Sequence, residues 1–378
     1  MPNSAEEIVF KTGGSLTLGV EVELQIMDKN TLNLAPRADE ILAKAKNIKN
    51  LHQEFFLSTV EICTDKCNNV HEVFSDLKSS FDAITPIADD LGVCFSTTGC
   101  HPFSRYSDCV ITPTARYDEL IARNQWLTKR MTVYGLHIHL GMNDGNECIR
   151  FNNFFLPFLP HFLALSSSSP FWQGEDTGLA SCRPTTYESM PTSGQPYEVN
   201  GWNDFQNLYH ILKKCGAINS LKDLWWDMRP SPGYGTLEIR VCDGLPTLAG
   251  AAAIVAYIHL LANWFKDNGN WLNQVQPSPT FLLRENKWRV VRYGLDAELV
   301  LNTDGKIAPI REEIEKWLDI TKDYVSKLGY ESHIETLREI MRRGTSSERQ
   351  RKIFADTGSI QEVARHNVRE FLSQSPIW

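Results

Sequence analysis

Two periods of apolar residues run along this chain. Before about residue 245 they recur mostly at every second position in short runs, the pattern of half-buried strands, interleaved with a few helical stretches. From residue 248 onward the spacing is almost entirely helical. "GVEVELQI" (19–26) predicts a strand, or a bent pair, ending at "MDKNT". "PRADEILAKAKN" (36–47) predicts a short amphipathic helix, and "HQEFFLSTVEICTD" (52–65) a pair of strands. Behind Asn69, a residue suited to capping, the stretch 69–92 carries apolar positions at helical spacing. "VCFSTTGCHPF" (93–103) reads as a strand leading into a loop, 112–135 as a second helix, and "LHIHLGM" (136–142) as a strand. The apolar run 150–172 predicts a helix, followed by a polar, Gly- and Pro-rich stretch to about residue 200. An irregular segment of that length in a compact chain is usually functional. A helix over 203–217 and a strand pair over 225–243, turning at "SPGYG", complete this part.

Strands before residue 245 and helices after it predict an α+β fold with one largely antiparallel sheet. No stretch is rich enough in Pro, Gly or Ser to divide the chain. One domain over residues 1–378 is expected, strand-rich at 15–245 and helical at 248–372.

The strands carry unusual polar groups. In a strand the side-chain period is two, so Glu21 and Glu23 share a face. Glu61 stands between Val60 and Ile62; His137 and His139 alternate with Leu136, Ile138 and Leu140; Glu238 and Arg240 alternate with Leu237, Ile239 and Val241. For any one strand, a solvated face is the ordinary reading. Four strands repeating the pattern with Glu, His and Arg point instead to one lined cavity. Like charges so close need a cation, and carboxylates with a few imidazoles suit Mg²⁺, or Mn²⁺ as the alternative. Arg240 is placed for a phosphoryl oxygen. There is neither a GxxxxGK[ST] loop nor a GxGxxG turn, so any nucleotide phosphates must be held by metals and arginines.

Composition narrows the partners. Hydrophobic residues make up 42% and charged residues 22%, the balance of a soluble globular protein. A net charge of −8 argues against nucleic acid or an anionic membrane as a non-specific partner. The N-terminus shows no basic-then-apolar signal pattern, and "LAGAAAIVAYIHLLANWF" (248–265), the nearest approach to a membrane span, has small residues and a His259 that suit a buried helix. Nine cysteines without a CxxC pair read as reduced thiols, with Cys63 and Cys67 as strand-end packing, and imply a cytoplasmic location.

The motifs "GVEVELQI", "TVEICTD", "GCHPFS", "YGLHIHLGM", "SPFWQGEDTGLASCR…MPTSGQP", "GTLEIRVCD" and "NKWRVVRYGLDAEL", in this order, resemble the YbdK-like carboxylate–amine ligases. This is the second class of glutamate–cysteine ligases, related in fold to glutamine synthetase, and the resemblance runs from about residue 16 to 365. It implies a curved antiparallel sheet whose concave face is the active site, helices on the other face, and an ATP- and Mg²⁺-dependent reaction. By motif match it makes Glu21, Glu23, Glu61, His137 and Glu238 metal ligands. It adds Glu54, seven residues before Glu61, and makes Arg240 the catalytic arginine beside the transferred phosphoryl group. Arg183 is implied as a partner for a substrate carboxylate, and Arg229 and Arg292 as further substrate or phosphate ligands. The substrates implied are ATP, an amino-acid carboxylate such as glutamate and an amine such as cysteine; a homodimer is compatible with the family. Cys100 stands where a hydroxyl residue is more usual, which leaves the amine side open.

Other polar residues have plainer readings. His139 is expected to orient His137 or a carboxylate, and Asp243 either to support Arg240 or to sit in a turn. His101 reads as a loop residue satisfied by backbone, His161 and His259 as core, and the Trp225–Trp226 pair as packing beneath the hairpin. The competing functions are a ligase for a different amino acid and amine, a His-x-His metallohydrolase, and a non-catalytic ligand-binding relative.

Overall fold

The computed structural model describes residues 7–273 and 279–378. In chain order its strands are β1 (Leu18–Asp28), β2 (Leu51–Gln53), β3 (Thr59–Cys63), β4 (Val93–Ser96), β5 (Gly135–Gly141), β6 (Phe171–Trp172) and β7 (Glu175–Asp176). There follow β8 (Ser193–Gly194), β9 (Trp225–Trp226), β10 (Met228–Ser231), β11 (Thr236–Asp243), β12 (Glu298–Val300) and β13 (Ile307–Pro309). Seven of these build one sheet in the order β10-β11-β5-β1-β3-β2, with β4 also on β1, and every pairing is antiparallel. At 11 residues, β1 is long enough to pair β5 along Leu18–Val22 and β4 along Gln25–Asp28.

Alternation gives the sheet two unlike faces. Val20, Val22, Leu24, Val60, Ile62, Ile138, Leu140, Leu237 and Ile239 are all buried in the main core. The helices Val70–Asp90, Leu159–Ser166 and Leu248–Asp267 pack against the sheet on that side. Asn69 caps the first of them, accepting from the Glu72 amide at 3.0 Å. The last is long and apolar enough to cross a membrane, but most of it is buried in this fold. Its His259 bonds the Tyr330 hydroxyl at 2.8 Å and the Leu16 carbonyl at 3.0 Å, and burial lowers its pKa to about 4. His161, against the Tyr257 hydroxyl, is lowered by burial to about 3. Both are core residues.

Two predicted helices are broken. The 112–135 stretch divides into Ala115–Asn124 and Trp126–Lys129 at Gln125, whose φ of 49° cannot continue a helix. The 150–172 run divides into Gly145–Phe155, a 3-10 turn at Leu156–Phe158 and Leu159–Ser166, because Pro157 and Pro160 lack the amide a helix interior requires. The β12–β13 hairpin interrupts the helical C-terminal part; at three residues each, these strands are too short for a period to declare itself. Between β10 and β11, Gly235 has φ +70°, and a Cβ there would lie 2.1 Å from the Lys11 carbonyl. Only glycine fits that turn.

Candidate active site

The other face of the sheet floors a cavity of about 320 Å³. The register sets the spacing of its groups: Glu23 lies opposite Glu61, Glu21 opposite Cys63 and His137, Glu238 opposite His139, and Arg229 opposite Glu238. Glu21, Glu23, Glu54, Glu61, His137, His139, Arg183, Arg229, Glu238 and Arg240 all line it.

At the centre, Glu21 bridges the two imidazoles, Oε2 to His137 Nδ1 at 3.1 Å and Oε1 to His139 Nε2 at 3.0 Å. Burial opposes ionisation of Glu21, but the hydrogen bonds from His137 and His139 outweigh it and hold the carboxyl well below its ordinary range. His139 is fixed from its other side by the Thr236 hydroxyl at 2.7 Å. Burial, then the Arg240 charge, lowers the pKa of His137. With Nδ1 donating to Glu21, His137 Nε2 presents its lone pair, and this buried atom has no protein partner. The backbone here must be bare. A Cβ on Gly135 would fall 2.7 Å from His137 Nε2 and 2.6 Å from Arg183 Nη2, and the Gly135 amide donates to Glu23 at 2.5 Å.

The two ends differ. Glu238 accepts from Arg229 Nε at 2.8 Å, from Arg229 Nη2 at 3.2 Å and from Arg240. Its burial favours the neutral acid, but the Arg240 and Arg229 charges override this and keep it ionised. Arg240 also approaches the Tyr187 hydroxyl at 3.5 Å. At the β2–β3 end, burial and then the Glu23 charge raise Glu54 to about 7, while burial and then Glu54 push Glu61 well above its usual range. Cys63, at the end of β3 and on the floor face, donates to Glu61 at 3.4 Å. Its thiol is pushed up by burial and then by the Glu61 charge.

A divalent cation fits this donor set. The ligating atoms of Glu21, His137 and Glu238 lie within 4.8 Å of one another, as do those of Glu23, Glu61 and His137. Carboxylates short of counter-charge and an unpartnered imidazole nitrogen are groups a hard cation would satisfy.

Some residues stand elsewhere than the sequence suggested. Arg292 is exposed on the Thr280–Tyr293 helix, donates to the Gly178 carbonyl and does not line the cavity. Asp243 supports neither Arg240 nor a turn. It is fully buried at the end of β11 and accepts from the Ser168 amide at 3.0 Å and the hydroxyls of Ser169 (2.7 Å) and Ser181 (2.8 Å). The serine run 166–169 thereby finds its use, docking the segment that carries Arg183. Trp225 is not buried packing: half-exposed, it lines the cavity and stacks on Tyr187 at 6.4 Å, while Trp226 is buried in a second apolar cluster. His101 is satisfied as expected, by the Leu32 carbonyl at 2.8 Å and the Ser104 amide at 2.9 Å.

Tyr117, Tyr187 and Lys222 also line the cavity, and Lys287 braces its wall; the sequence singled out none of them. The buried Lys287 ammonium bonds Asp227 at 2.5 Å and Glu188, tying the Thr280–Tyr293 helix to the segment behind Arg183. Asp227 in turn accepts the Arg240 amide on its carbonyl at 2.7 Å.

This architecture recurs in solved structures. A glutamate–cysteine ligase of Francisella tularensis in complex with AMP superposes with a TM-score of 0.67 at 13% identity, over 97% of this chain and 90% of that one. A bifunctional glutathione synthetase of Pasteurella multocida gives 0.68 at 14%, over 95% of this chain and 52% of that one. At such identities the likeness is one of fold. Sequence decides the family: the profile of glutamate–cysteine ligase family 2 matches residues 17–366. The chain belongs to glutamate–cysteine ligase family 2. Among family relatives, a protein of Bdellovibrio bacteriovorus provisionally named glutamate–cysteine ligase 2 is 41% identical over 95% of each chain. A Thermobifida fusca protein with the same provisional name is 36% identical over 98% of this chain and 94% of its own. With family 2 comes the enzyme class, a carbon–nitrogen ligase.

Proposed function

We propose that this ligase uses ATP to activate an amino-acid carboxylate, glutamate first among candidates, as an acyl phosphate and then joins it to an amine such as cysteine. The observation that carries this reading is the His137 Nε2 lone pair, buried without a partner among Glu21, Glu23 and Glu61 and beside Arg240. Glu21, Glu23, Glu54, Glu61, His137 and Glu238 would hold Mg²⁺, with Mn²⁺ the alternative that imidazole favours. A cation held there would supply charge neutralisation for the nucleotide phosphates during transfer.

The chain's own residues do the rest. In the first step a carboxylate oxygen forms a bond to the γ-phosphorus and the bond to the β-bridging oxygen breaks, releasing ADP. Charge spreads over three equatorial oxygens, and the planar Arg240 fork, steered by Glu238 and Tyr187, can follow it. Arg183 is the partner for a substrate carboxylate: it is buried, lines the cavity, and its Nε has no partner. Arg229 balances Glu238 and faces the phosphates, while His139 holds Glu21 in place.

A metallohydrolase is disfavoured because, of the described residues, His137 and His139 are the only histidines lining the cavity, and one carboxylate binds both. The test is phosphate release with ATP, Mg²⁺ and a matrix of amino acids and amines. The expected result is release that requires both a carboxylate and an amine. Hydrolysis of an amide or ester without ATP, and no amine-dependent phosphate release, would overturn the reading.

A further inference from the structure

Phosphate and metal chemistry leave the apolar wall over one arm of the cavity unexplained. The Ala115–Asn124 helix is amphipathic and capped by Thr114, yet it contains no fully buried residue. Its apolar side, Tyr117 and Leu120, stands half-buried across from Phe55, Met131 and Val133, and all five line the cavity. The Phe55 and Tyr117 rings meet edge to face at 5.0 Å. Beneath this wall lie Glu23, Glu54 and Glu61, with the buried hydroxyls of Thr59 and Tyr134 beside them. The far arm carries Lys222, Arg229 and Arg240, the groups suited to phosphates, while Arg116, on the helix itself, also lines the cavity. With the carboxylates assigned to the cation, the aromatic and aliphatic wall above them is lining that neither metal nor phosphate uses, and it complements an apolar substituent. Covering the half-exposed wall supplies the driving force.

We propose that the acceptor amine enters beneath the Ala115–Asn124 helix, with an apolar side chain larger than that of cysteine against Tyr117, Leu120 and Met131. The proposal rests on the ligase reading above and gives the acceptor its chemical class: an α-amino acid of leucine or phenylalanine type. In the second step the acceptor ammonium first loses a proton to solvent; the freed nitrogen pair bonds to the acyl carbon, the acyl C–O bond breaks, phosphate leaves with the bonding pair, and a second proton passes from nitrogen to solvent. Leu120 and Met131 set specificity, since one methylene in an apolar pocket is worth about 10- to 200-fold.

The experiment holds ATP, Mg²⁺ and donor acid fixed and compares leucine, phenylalanine, cysteine, glycine, aspartate and lysine as acceptors. Hydroxylamine, which traps an acyl phosphate without needing a side-chain pocket, is the reference. Leucine and phenylalanine should exceed glycine, aspartate and lysine in kcat/KM by at least about tenfold, and should exceed cysteine. In Leu120→Asp the leucine-to-hydroxylamine ratio should fall by about tenfold or more, whereas Leu120→Trp, which fills the arm, should shift preference toward smaller acceptors. Hydroxamate formation with cysteine or a polar amine as the best acceptor, or ratios unchanged in both variants, overturns the acceptor assignment and leaves the ligase reading standing. No hydroxamate from any donor acid overturns both.

Discussion

At one end of the cavity floor Glu238 lies between the guanidiniums of Arg229 and Arg240; at the other, Glu54 and Glu61 face each other and Glu23 without a counter-ion. Both ends are built from strands of one sheet with the same alternation of acid and aliphatic residues. The first is electrically complete as folded, because each buried charge has a partner. The second is left short of counter-charge, where the proposed cation would bind. A buried acid can thus come with its counter-charge built in or without one, and the adjacent strand decides which: Arg229 stands opposite Glu238, whereas Glu23 stands opposite Glu61.

The sharpest way to break this comparison is to remove one acid from each end. Glu238→Ala leaves two buried guanidiniums facing each other and should cost about 3–5 kcal/mol in urea unfolding. Glu61→Gln replaces an acid whose ionisation burial and Glu54 already oppose, so the metal-free protein should be as stable or gain about 1 kcal/mol. Equal losses from the two variants would show that the ends do not differ.

Next in size is the effect on turnover. Arg240→Lys keeps a charge against Glu238 but loses the planar fork. The variant should fold, keep much of its ATP affinity and lose about a hundredfold in turnover, roughly 3 kcal/mol of transition-state stabilisation. A folded variant with wild-type phosphate release would show that the complete end serves the fold alone.

The incomplete end is tested by ligand. Mg²⁺ with a non-hydrolysable ATP analogue, at a hundred times its Kd, should stabilise the protein by about 2.7 kcal/mol. Calorimetric unfolding of the Glu54→Gln, Glu61→Gln double variant should show most of that gain gone. A full gain in the double variant would place the cation elsewhere.

The smallest effect concerns pH. Glu54 is raised to about 7 by burial and the Glu23 charge, so the folded state holds a proton that the unfolded chain releases near 4.5. Its contribution to stability is complete below 4.5 and is lost as pH rises to about 7. Buried neutral histidines such as His259 act in the opposite direction, so the informative quantity is a difference between two proteins. Relative to wild type, metal-free Glu54→Gln should gain about 2 kcal/mol between pH 4.5 and 7, read from paired melting curves. A flat difference would mean that Glu54 ionises freely.

The sheet was legible because its two faces make opposite demands at a period of two. That period brings Glu21, Glu23, Glu61, His137, Glu238 and Arg240 together before any topology is known. Residues outside the strands were harder. Arg292 sits in a motif-like stretch, but the turn of its helix aims it at Gly178. Asp243 lies an odd number of residues from Arg240, beyond an irregularity in the β11 pairing, and faces the serine run. Trp225, Tyr117, Leu120 and Lys287 reach the site from short strands and helices whose placement depends on contacts distant in sequence. An unpaired Lys flanked by Asn286 and Trp288 carries no local sign that its partners will be Asp227 and Glu188.

That lysine has a consequence for motion. Burial disfavours its charge, but Asp227 and then Glu188 outweigh burial and keep Lys287 an ammonium, so prising the Arg183 segment from the Thr280–Tyr293 helix would cost a buried ammonium one of its two partners. The segment therefore behaves as masonry more than as a flap. Its amides should exchange with deuterium only through rare openings, on the slow timescale of the neighbouring core, and turnover should be indifferent to solvent viscosity so far as this wall is concerned.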